Sequence, residues 1–375
     1  MKFQGFCRKI YLCAMTEKDF IPKSYPAQVE QGEVTWQSPS NIALVKYWGK
    51  LENQIPANPS ISFTLDSCRT TTTLKFKKKQ QRADNFHFDL SFEGEKKESF
   101  RPKIQKFLER IDPYLPFLRD YDLSIETSNS FPHSSGIASS ASGMSALALC
   151  LMSLEKQLNP EMNEEYFTRK SSFLARLGSG SACRSIEGDL VVWGMHNNIY
   201  RSSDLYGVPF RDEVHDNFKN YRDTILLVDK GEKQVSSTVG HDLMNDHPYA
   251  EQRFRQAHDN LDKLKKIFRS GDLDEFIKVV ESEALTLHAM MMTSQPYFIL
   301  MKPNTLAIIN KVFKFREETG LHLCFTLDAG ANVHLLFPEK EEEKTLQFIE
   351  NELKQYCQNG QYITDRVGSG AKKLA

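Results

Sequence analysis

Four short stretches of this sequence hold residue types whose spacing suits anion chemistry. The first, "FPHSSGIASSASGMSALAL", runs from Phe131 to Leu149 and gathers serines, glycines and alanines just before an apolar run. Small residues let a backbone approach a ligand closely. Hydroxyls, and the unsatisfied N–H groups at the positive end of a helix dipole, bind oxyanions. The stretch reads as a phosphate-binding loop that leads into a helix. It is not a Walker loop, because six residues lie between Gly136 and Gly143 and no lysine follows. A serine-rich helix start packed tightly against a sheet would have the same composition.

The second stretch is "LGSGSACRS", Leu177 to Ser185. Gly178, Ser179, Gly180 and Ser181 offer backbone and hydroxyl donors. Arg184 adds a permanent planar cation suited to gripping carboxylate or phosphate. The alternative is a plain turn with a surface arginine, and a second such loop in the same chain weighs against it. The third stretch is "NIALVKYWGK", where Lys46 and Lys50 flank Tyr47 and Trp48. A lysine between valine and aromatics either sits in a partly apolar pocket, where its charge is worth more to an anion, or snorkels beside core rings. In the fourth, "TLDAGANVHLL", Asp328 ends an apolar strand and Gly330 and Asn332 make a turn. Alone this is an ordinary Asp-Gly hairpin. It matters only if the fold brings Asp328 to the loops.

At 375 residues the chain is long for one domain, and two are expected. With 40% hydrophobic and 26% charged residues it is a globular composition able to bury a sizeable core. A formal net charge of −1 gives no reason to expect nucleic acid as a partner, while leaving room for a local basic pocket. The seven cysteines, at 7, 13, 68, 150, 183, 324 and 357, are odd in number, widely spaced and without a C-x-x-C. Reduced, mostly buried thiols of a cytosolic protein are expected, rather than a zinc site or disulfide framework. No apolar run approaches the ~18 residues of a membrane span. In the opening "MKFQGFCRKIYLCA", Arg8 and Lys9 interrupt any signal-peptide core. Met15 is expected to be the initiator, with residues 1–14 a dispensable upstream extension.

The elements that must position these groups follow from periodicity. The chain from Tyr25 to Ser40 is polar and punctuated by proline. "SISFTLDSCRTTTTLKFKKK" and "NFHFDLSFEG" read as strands, joined by "KKKQQRADN" as a hairpin loop. "ESFRPKIQKFLERIDPYL" has helical spacing, and "YDLSIETSNSF" reads as the strand that delivers the chain to the serine loop. "MSALALCLMSLEKQL" and "EEYFTRKSSFLARLG" are helices, the latter closed by Gly178 as a C-cap. "DLVVWGM" and "TILLVDKG" are short strands on either side of a polar joint near 200–222. Residues 249–293 are helical in pattern, "LCFTLDAGANVHLLF" is two apolar runs joined by a turn, and "EKEEEKTLQFIENELKQYC" is a final amphipathic helix.

Taken together, "SPSNIALVKYWGK", "NPSISFTL", "FPHSSGIASSASG", "RLGSGSACRSIEG" and "TLDAGANVH" closely resemble the mevalonate diphosphate decarboxylase family. That family belongs to the superfamily of galactokinase, homoserine kinase, mevalonate kinase and phosphomevalonate kinase (GHMP). The resemblance spans roughly residues 35 to 337, with the motifs in family order. "KYWGK" and "GSGSACRS" are not shared generally by the sister kinases. The implied fold is α+β, a GHMP-kinase-like two-domain architecture. Its N-terminal domain is ribosomal-protein-S5-domain-2-like and its C-terminal domain a ferredoxin-like α/β sandwich. The implied boundaries are a partly disordered extension over 1–29, the N-terminal domain with the ATP phosphate loop over 30–205, and the C-terminal domain over 206–375.

The resemblance also implies the chemistry. ATP and Mg²⁺ would serve the decarboxylation of (R)-5-diphosphomevalonate to isopentenyl diphosphate, CO2, ADP and phosphate, in the mevalonate pathway of isoprenoid biosynthesis. The enzyme would be a cytoplasmic homodimer with a small-molecule substrate and neither nucleic acid nor membrane as partner. Ser134, Ser135, Gly136, Ser139 and Ser140 would wrap the ATP phosphates. Asp328 would face the tertiary hydroxyl as base or orienting acceptor, and Arg184 would hold the substrate carboxylate. Lys46 would neutralise nearby anionic charge and help set the state of Asp328. Tyr47, Lys50, Ser236 and Ser237 would contact the diphosphate, and Ser179 and Ser181 the acid end. No protein ligand to Mg²⁺ is assigned. The chain departs from the family pattern at His133, Asp189, Ala331 and Val333. Decarboxylation of the monophosphate, phosphorylation without decarboxylation, and non-catalytic nucleotide binding are the competing readings. The retention of Lys46, Arg184 and Asp328 together favours decarboxylation.

Overall fold

The computed structural model describes residues 15–132, 137–231 and 237–375. Its first lobe is organised by β1 (Gln31–Val45) and β2 (Ser60–Lys78), a long antiparallel pair. Register shifts between Pro39 and Asn41 and between Ala43 and Val45 bulge β1 near its end. Such bulges bend a strand and redirect the chain beyond it, here the segment that carries Lys46. The strand thus starts inside the stretch read as polar and proline-punctuated. Pro39 is accommodated at the bulge, where a ladder hydrogen bond is already lost.

The other strands of this lobe are β3 (His87–Phe92), β4 (Glu95–Lys96), β5 (Tyr121–Asn129), β6 (Leu190–Trp193) and β7 (Val208–Pro209). β2 pairs β5, not β3, and β3 lies parallel to β5 on its far side. The "KKKQQRADN" segment is therefore a crossover and not the hairpin loop expected. Both strands have hairpin-like alternation, but periodicity carries no information about which neighbour a strand selects.

Three helices cover one side. α1 (Arg101–Ile111) buries Ile104, Phe107, Leu108 and Ile111 at helical spacing. α2 (Ser139–Leu158) is buried along almost its whole length against β1, β2 and α3 (Glu164–Gly178). An all-round apolar helix is what a central position requires. Gly178 is the last helical residue but not a left-handed cap. A Cβ there would lie 2.8 Å from Met144 Sδ and 2.9 Å from Phe107. The glycine permits close packing with α1 and α2.

The described part of the N-terminal extension, residues 15–29, packs onto this lobe. Phe20 is fully buried, stacked 4.4 Å from the Phe173 ring, and Ala27 N–H donates to Leu158 O. Phe20→Ala is expected to cost about 3–5 kcal/mol, the usual range for truncating a buried aromatic. Denaturant titration measures it, and a loss below about 1 kcal/mol would show that the segment does not contribute to the core.

The second lobe carries β8 (Arg222–Leu226), α4 (Ser237–Asp242), α5 (Ala250–Ser270), α6 (Leu273–Met292), α7 (Pro303–Thr319), β9 (Cys324–Leu327), β10 (Val333–Phe337), α8 (Glu342–Phe348) and β11 (Tyr362–Arg366). Its antiparallel sheet has the order β11-β8-β10-β9. The 249–293 stretch is two helices, broken where Gly271 takes a φ of +78° and Asp272 caps α6 by accepting from Glu275 N–H. The stretch read as one amphipathic helix at the end is shorter. A 3-10 turn precedes α8, and a π turn over Ile349–Leu353 follows it. The chain then returns to the first sheet, where β12 (Lys372–Lys373) pairs β1.

The lobes share a core. Phe63 of β2 meets Tyr221, Phe268 and Phe276 of the second lobe at ring distances of 5.9–6.5 Å. Asp365 of β11 accepts the backbone N–H groups of Asp66, Ser67 and Cys68 at 2.7–3.0 Å. The architecture is α+β in two lobes, and the described cysteines, 68, 150, 183, 324 and 357, are all buried and free.

Candidate active site

A cavity of about 780 Å³ opens between the lobes. Lys46, Tyr47 and Lys50 line it from the end of β1, Ser139 and Ser140 from the start of α2, Ser179, Ser181 and Arg184 from the loop after α3, and Asp328 from the β9–β10 turn. The four stretches singled out by residue type thus converge. Ser134, Ser135, Gly136 and Ser236 lie outside the described residues, as does the side chain of Ser237.

Lys46 is 2% exposed and its Nζ lies 3.1 Å from Asp328 Oδ1. Burial pushes the ammonium below the usual lysine range, opposed by Asp328 and by Glu283. The backbone on which Lys46 rides is fixed by groups that the motifs did not reveal. Its N–H donates to Glu283 Oε2 at 2.9 Å, and its carbonyl accepts from Arg253 Nη2 at 3.0 Å and Asn58 Nδ2 at 2.9 Å. Glu283 and Arg253 pair at 2.6 Å, both fully buried, and Asn260 donates to the other Glu283 oxygen at 2.6 Å. α6 also fixes the Asp328 backbone, whose carbonyl accepts from His288 Nε2 at 3.1 Å. Burial pushes the His288 imidazole down to about 4, so it stays neutral and donates from Nε2. One helix therefore sets both members of the Lys46–Asp328 pair.

Arg184 is 2% exposed. Its Nε and Nη1 donate to Ser62 Oγ and Ser60 Oγ, both at 2.6 Å, and Nη2 reaches Asn41 Oδ1 at 3.4 Å. Ser60 and Ser62 share one face of β2 because strand side chains alternate. The guanidinium also lies over the Trp193 ring, 5.8 Å from its centroid. Neutral groups hold it, and among the described residues no carboxylate lies within ion-pair distance of it. A buried cation oriented in this way is prepared for an anionic ligand.

Further cations stand at the end of the cavity formed by the start of α2. Lys103, Lys106 and Arg110 line the cavity from one face of α1, at i, i+3 and i+7. Lys103 Nζ donates to Ser140 Oγ at 2.7 Å. Ala138, just before α2, has a left-handed backbone, with φ +43°. Against these cations the described lining offers a single carboxylate, Asp328. The departure at Asp189 falls outside this set: its side chain caps its own neighbour, accepting from Leu190 N–H at 2.8 Å. Ala331 is likewise engaged through its backbone, the carbonyl accepting from Thr305 Oγ1 at 2.6 Å.

Comparisons with known proteins show the same division. Residues 38–205 match the diphosphomevalonate decarboxylase-like N-terminal domain, and residues 224–373 match the mevalonate 5-diphosphate decarboxylase C-terminal domain. The chain belongs to the diphosphomevalonate decarboxylase family. The Saccharomyces cerevisiae diphosphomevalonate decarboxylase is 30% identical over 83% of this chain and 79% of its own length. The Ganoderma lucidum diphosphomevalonate decarboxylase is 29% identical over 84% and 81%. Among solved structures, the Staphylococcus aureus mevalonate diphosphate decarboxylase superposes with a TM-score of 0.77 at 27% identity, covering 92% of this chain and 98% of that one. A complex described as MDDEF with MVAPP, AMPPCP and magnesium gives 0.76 at 26%, covering 92% and 99%. The two-domain architecture of this decarboxylase family is thus the fold of this chain.

The cavity is lined mainly by cations and small polar residues. Three of the groups that the motifs did not reveal carried a legible signal. Glu283 occupies the apolar stripe of α6 with Val279, Val280 and Leu287, and Arg253 and Asn260 share the buried face of α5 with Ala257 and Leu264. Charges on a buried helix face require partners, and pairing the two would have pointed to this site.

Proposed function

We propose that the chain is an ATP-dependent diphosphomevalonate decarboxylase, with the Lys46–Asp328 pair and Arg184 at its reacting centre. The observation that carries this reading is the convergence of one carboxylate and two buried cations in the interlobe cavity, beside the start of α2. The tertiary hydroxyl of the substrate is a poor leaving group. Asp328 takes or orients its proton as the hydroxyl oxygen accepts the γ-phosphoryl group of ATP and ADP leaves. A positioned base contributes about 10²–10⁴-fold. The C–O bond then breaks with its electron pair going to phosphate. The electron pair of the carboxylate C–C bond closes the alkene, and CO2 departs. Arg184 holds that carboxylate and fixes the reacting conformer, with Ser179 and Ser181 beside it. Lys46 neutralises charge next to Asp328. Tyr47 and Lys50 take the diphosphate, and Ser139, Ser140 and Lys103 the nucleotide phosphates.

The described residues contain no cluster of three metal-ligating side chains. Mg²⁺ fits such a site, because it keeps several waters and binds mainly through nucleotide phosphates. The hard oxygen donors of the wall, the Ser139 hydroxyl and the Asp328 carboxylate, are of the type it accepts. When bound it supplies charge neutralisation at the phosphates. The same reading places the enzyme in the cytoplasm as a homodimer, which sedimentation would test. No helix among the described residues is long and apolar enough to cross a membrane.

The deciding assay offers ATP with mevalonate, its 5-phosphate and its 5-diphosphate, and measures CO2 and ADP. Matched release of both from the diphosphate alone is expected. ADP without CO2 would make the chain a kinase. For the loop, the double variant Ser139→Ala/Ser140→Ala is expected to raise KM for ATP by ~10-fold or more, as loss of hydrogen bonds to a charged group implies, with KM for the diphosphate little changed. Wild-type KM for ATP and kcat in that variant would remove the loop from the nucleotide site.

A further inference from the structure

One cavity-lining side chain has no part in the mechanism above. His241 of α4 is 9% exposed, with its ring 4.1 Å from that of Tyr47 and 4.7 Å from that of Trp48. Gly240 allows this seat, because a Cβ there would come within 2.5 Å of the Trp48 ring. The Gly49 backbone N–H donates to His241 Nδ1 at 3.0 Å. An accepting Nδ1 fixes the tautomer, so the ring proton is on Nε2. Among the described residues nothing accepts that Nε2–H. Beside it, the Tyr47 hydroxyl is buried without a partner. A buried hydroxyl with no protein acceptor is costly unless a ligand completes it, and His241 Nε2–H is a second donor on the same cavity wall with no protein acceptor among the described residues. Their surroundings set the sign of that ligand. Lys50, paired with Asp242 at 3.3 Å, and Arg184 are the cations whose charge acts on the ring.

We propose that His241 Nε2–H is a hydrogen-bond donor to the diphosphate of the substrate, acting together with Tyr47 and Lys50. The proposal rests on the reading of the cavity as a diphosphomevalonate site and adds a residue to it. Burial first, and then Lys50 and Arg184, push the imidazole down to about 3. The ring therefore acts as a neutral donor of fixed orientation, not as a cation or a proton shuttle. Its contribution is affinity for the diphosphate over the monophosphate, and not a rate.

The two ring nitrogens can be tested separately. His241→Asn keeps an acceptor where Nδ1 meets Gly49 but removes the cavity donor. His241→Gln keeps a donor near the Nε2 position but loses the acceptor. Calorimetric binding of diphosphomevalonate, mevalonate 5-phosphate and inorganic pyrophosphate is compared for the full chain and both variants, with melting temperatures alongside. A net hydrogen bond to a charged group predicts ~10-fold or greater loss of diphosphate affinity in His241→Asn. A smaller loss is expected for the monophosphate, with a near-native melting temperature. His241→Gln is expected to bind the diphosphate within ~3-fold of the wild type while melting lower, since the buried Gly49 N–H is orphaned. Wild-type diphosphate affinity in His241→Asn would overturn the proposal. So would equal losses in both variants that track the melting temperature, which would mark a packing role. If the wild type binds pyrophosphate in a His241-dependent way but does not turn over diphosphomevalonate, the donor assignment holds and the decarboxylase reading falls.

Discussion

Asp328→Asn is expected to lower kcat by at least ~10²-fold, the low end for removing a positioned base, while KM for diphosphomevalonate changes little. The two readings of this residue diverge sharply. Asparagine is a favoured turn residue, so an aspartate that merely shaped the β9–β10 turn would be replaced at almost no cost. In the fold, however, the carboxylate is aimed at Lys46 Nζ, 3.1 Å away, and lies on the cavity wall. The amide keeps an acceptor for that ammonium but loses both charge and basicity. An interaction made mainly in the transition state shows in kcat, whereas one made equally in the ground state shows in KM. Steady-state kinetics, with the melting temperature as control for the lost ion pair, separates them. Turnover within a few-fold of wild type at unchanged stability would remove Asp328 from the chemistry and leave Lys46 and Arg184 as binding groups only.

How much of this site was legible from sequence depends on the kind of group involved. Residues that face the ligand stood in stretches of unusual composition. Arg184 followed a run of small hydroxyl residues, and Lys46 was set among valine and aromatics, so residue type alone singled them out. The groups that aim them were hidden in ordinary amphipathic helices. Glu283 and Arg253 lie 30 residues apart on separate helices, and only the α5–α6 hairpin joins them. Asn41 was legible as part of a motif, yet its bond to Arg184 depends on a bulge in β1. The strand order shows the same limit. Alternation identified β2, β3 and β5 as strands. β5 nevertheless sits between β2 and β3, and a local pattern does not encode that choice of neighbours. Periodicity reports which face of an element is buried, while the partner is chosen by the whole fold.

Those hidden groups produce the second large effect. Glu283→Ala is expected to destabilise the chain by about 3–5 kcal/mol, because it leaves the Arg253 guanidinium buried without its counter-charge. Arg253 is 2% exposed and Glu283 is 0% exposed, so water cannot compensate. Loss of activity in this variant alone would not separate unfolding from misplacement. The double variant Arg253→Met/Glu283→Leu does separate them. Replacing a buried ion pair by apolar side chains of similar volume is often neutral or stabilising, so most of the lost stability is expected to return. The Lys46 backbone nevertheless keeps neither Glu283 Oε2 as acceptor nor Arg253 Nη2 as donor. The ammonium is then free to move relative to Asp328, and a displacement on the order of 1 Å at a reacting group costs about 10²-fold. Native-like urea midpoints with kcat still reduced ~10-fold or more, at little-changed KM for ATP, are the expected pair of results. If stability and kcat recover together, the buried pair is only a structural tie between the lobes, and Lys46 is positioned by Asn58 and its own side-chain packing.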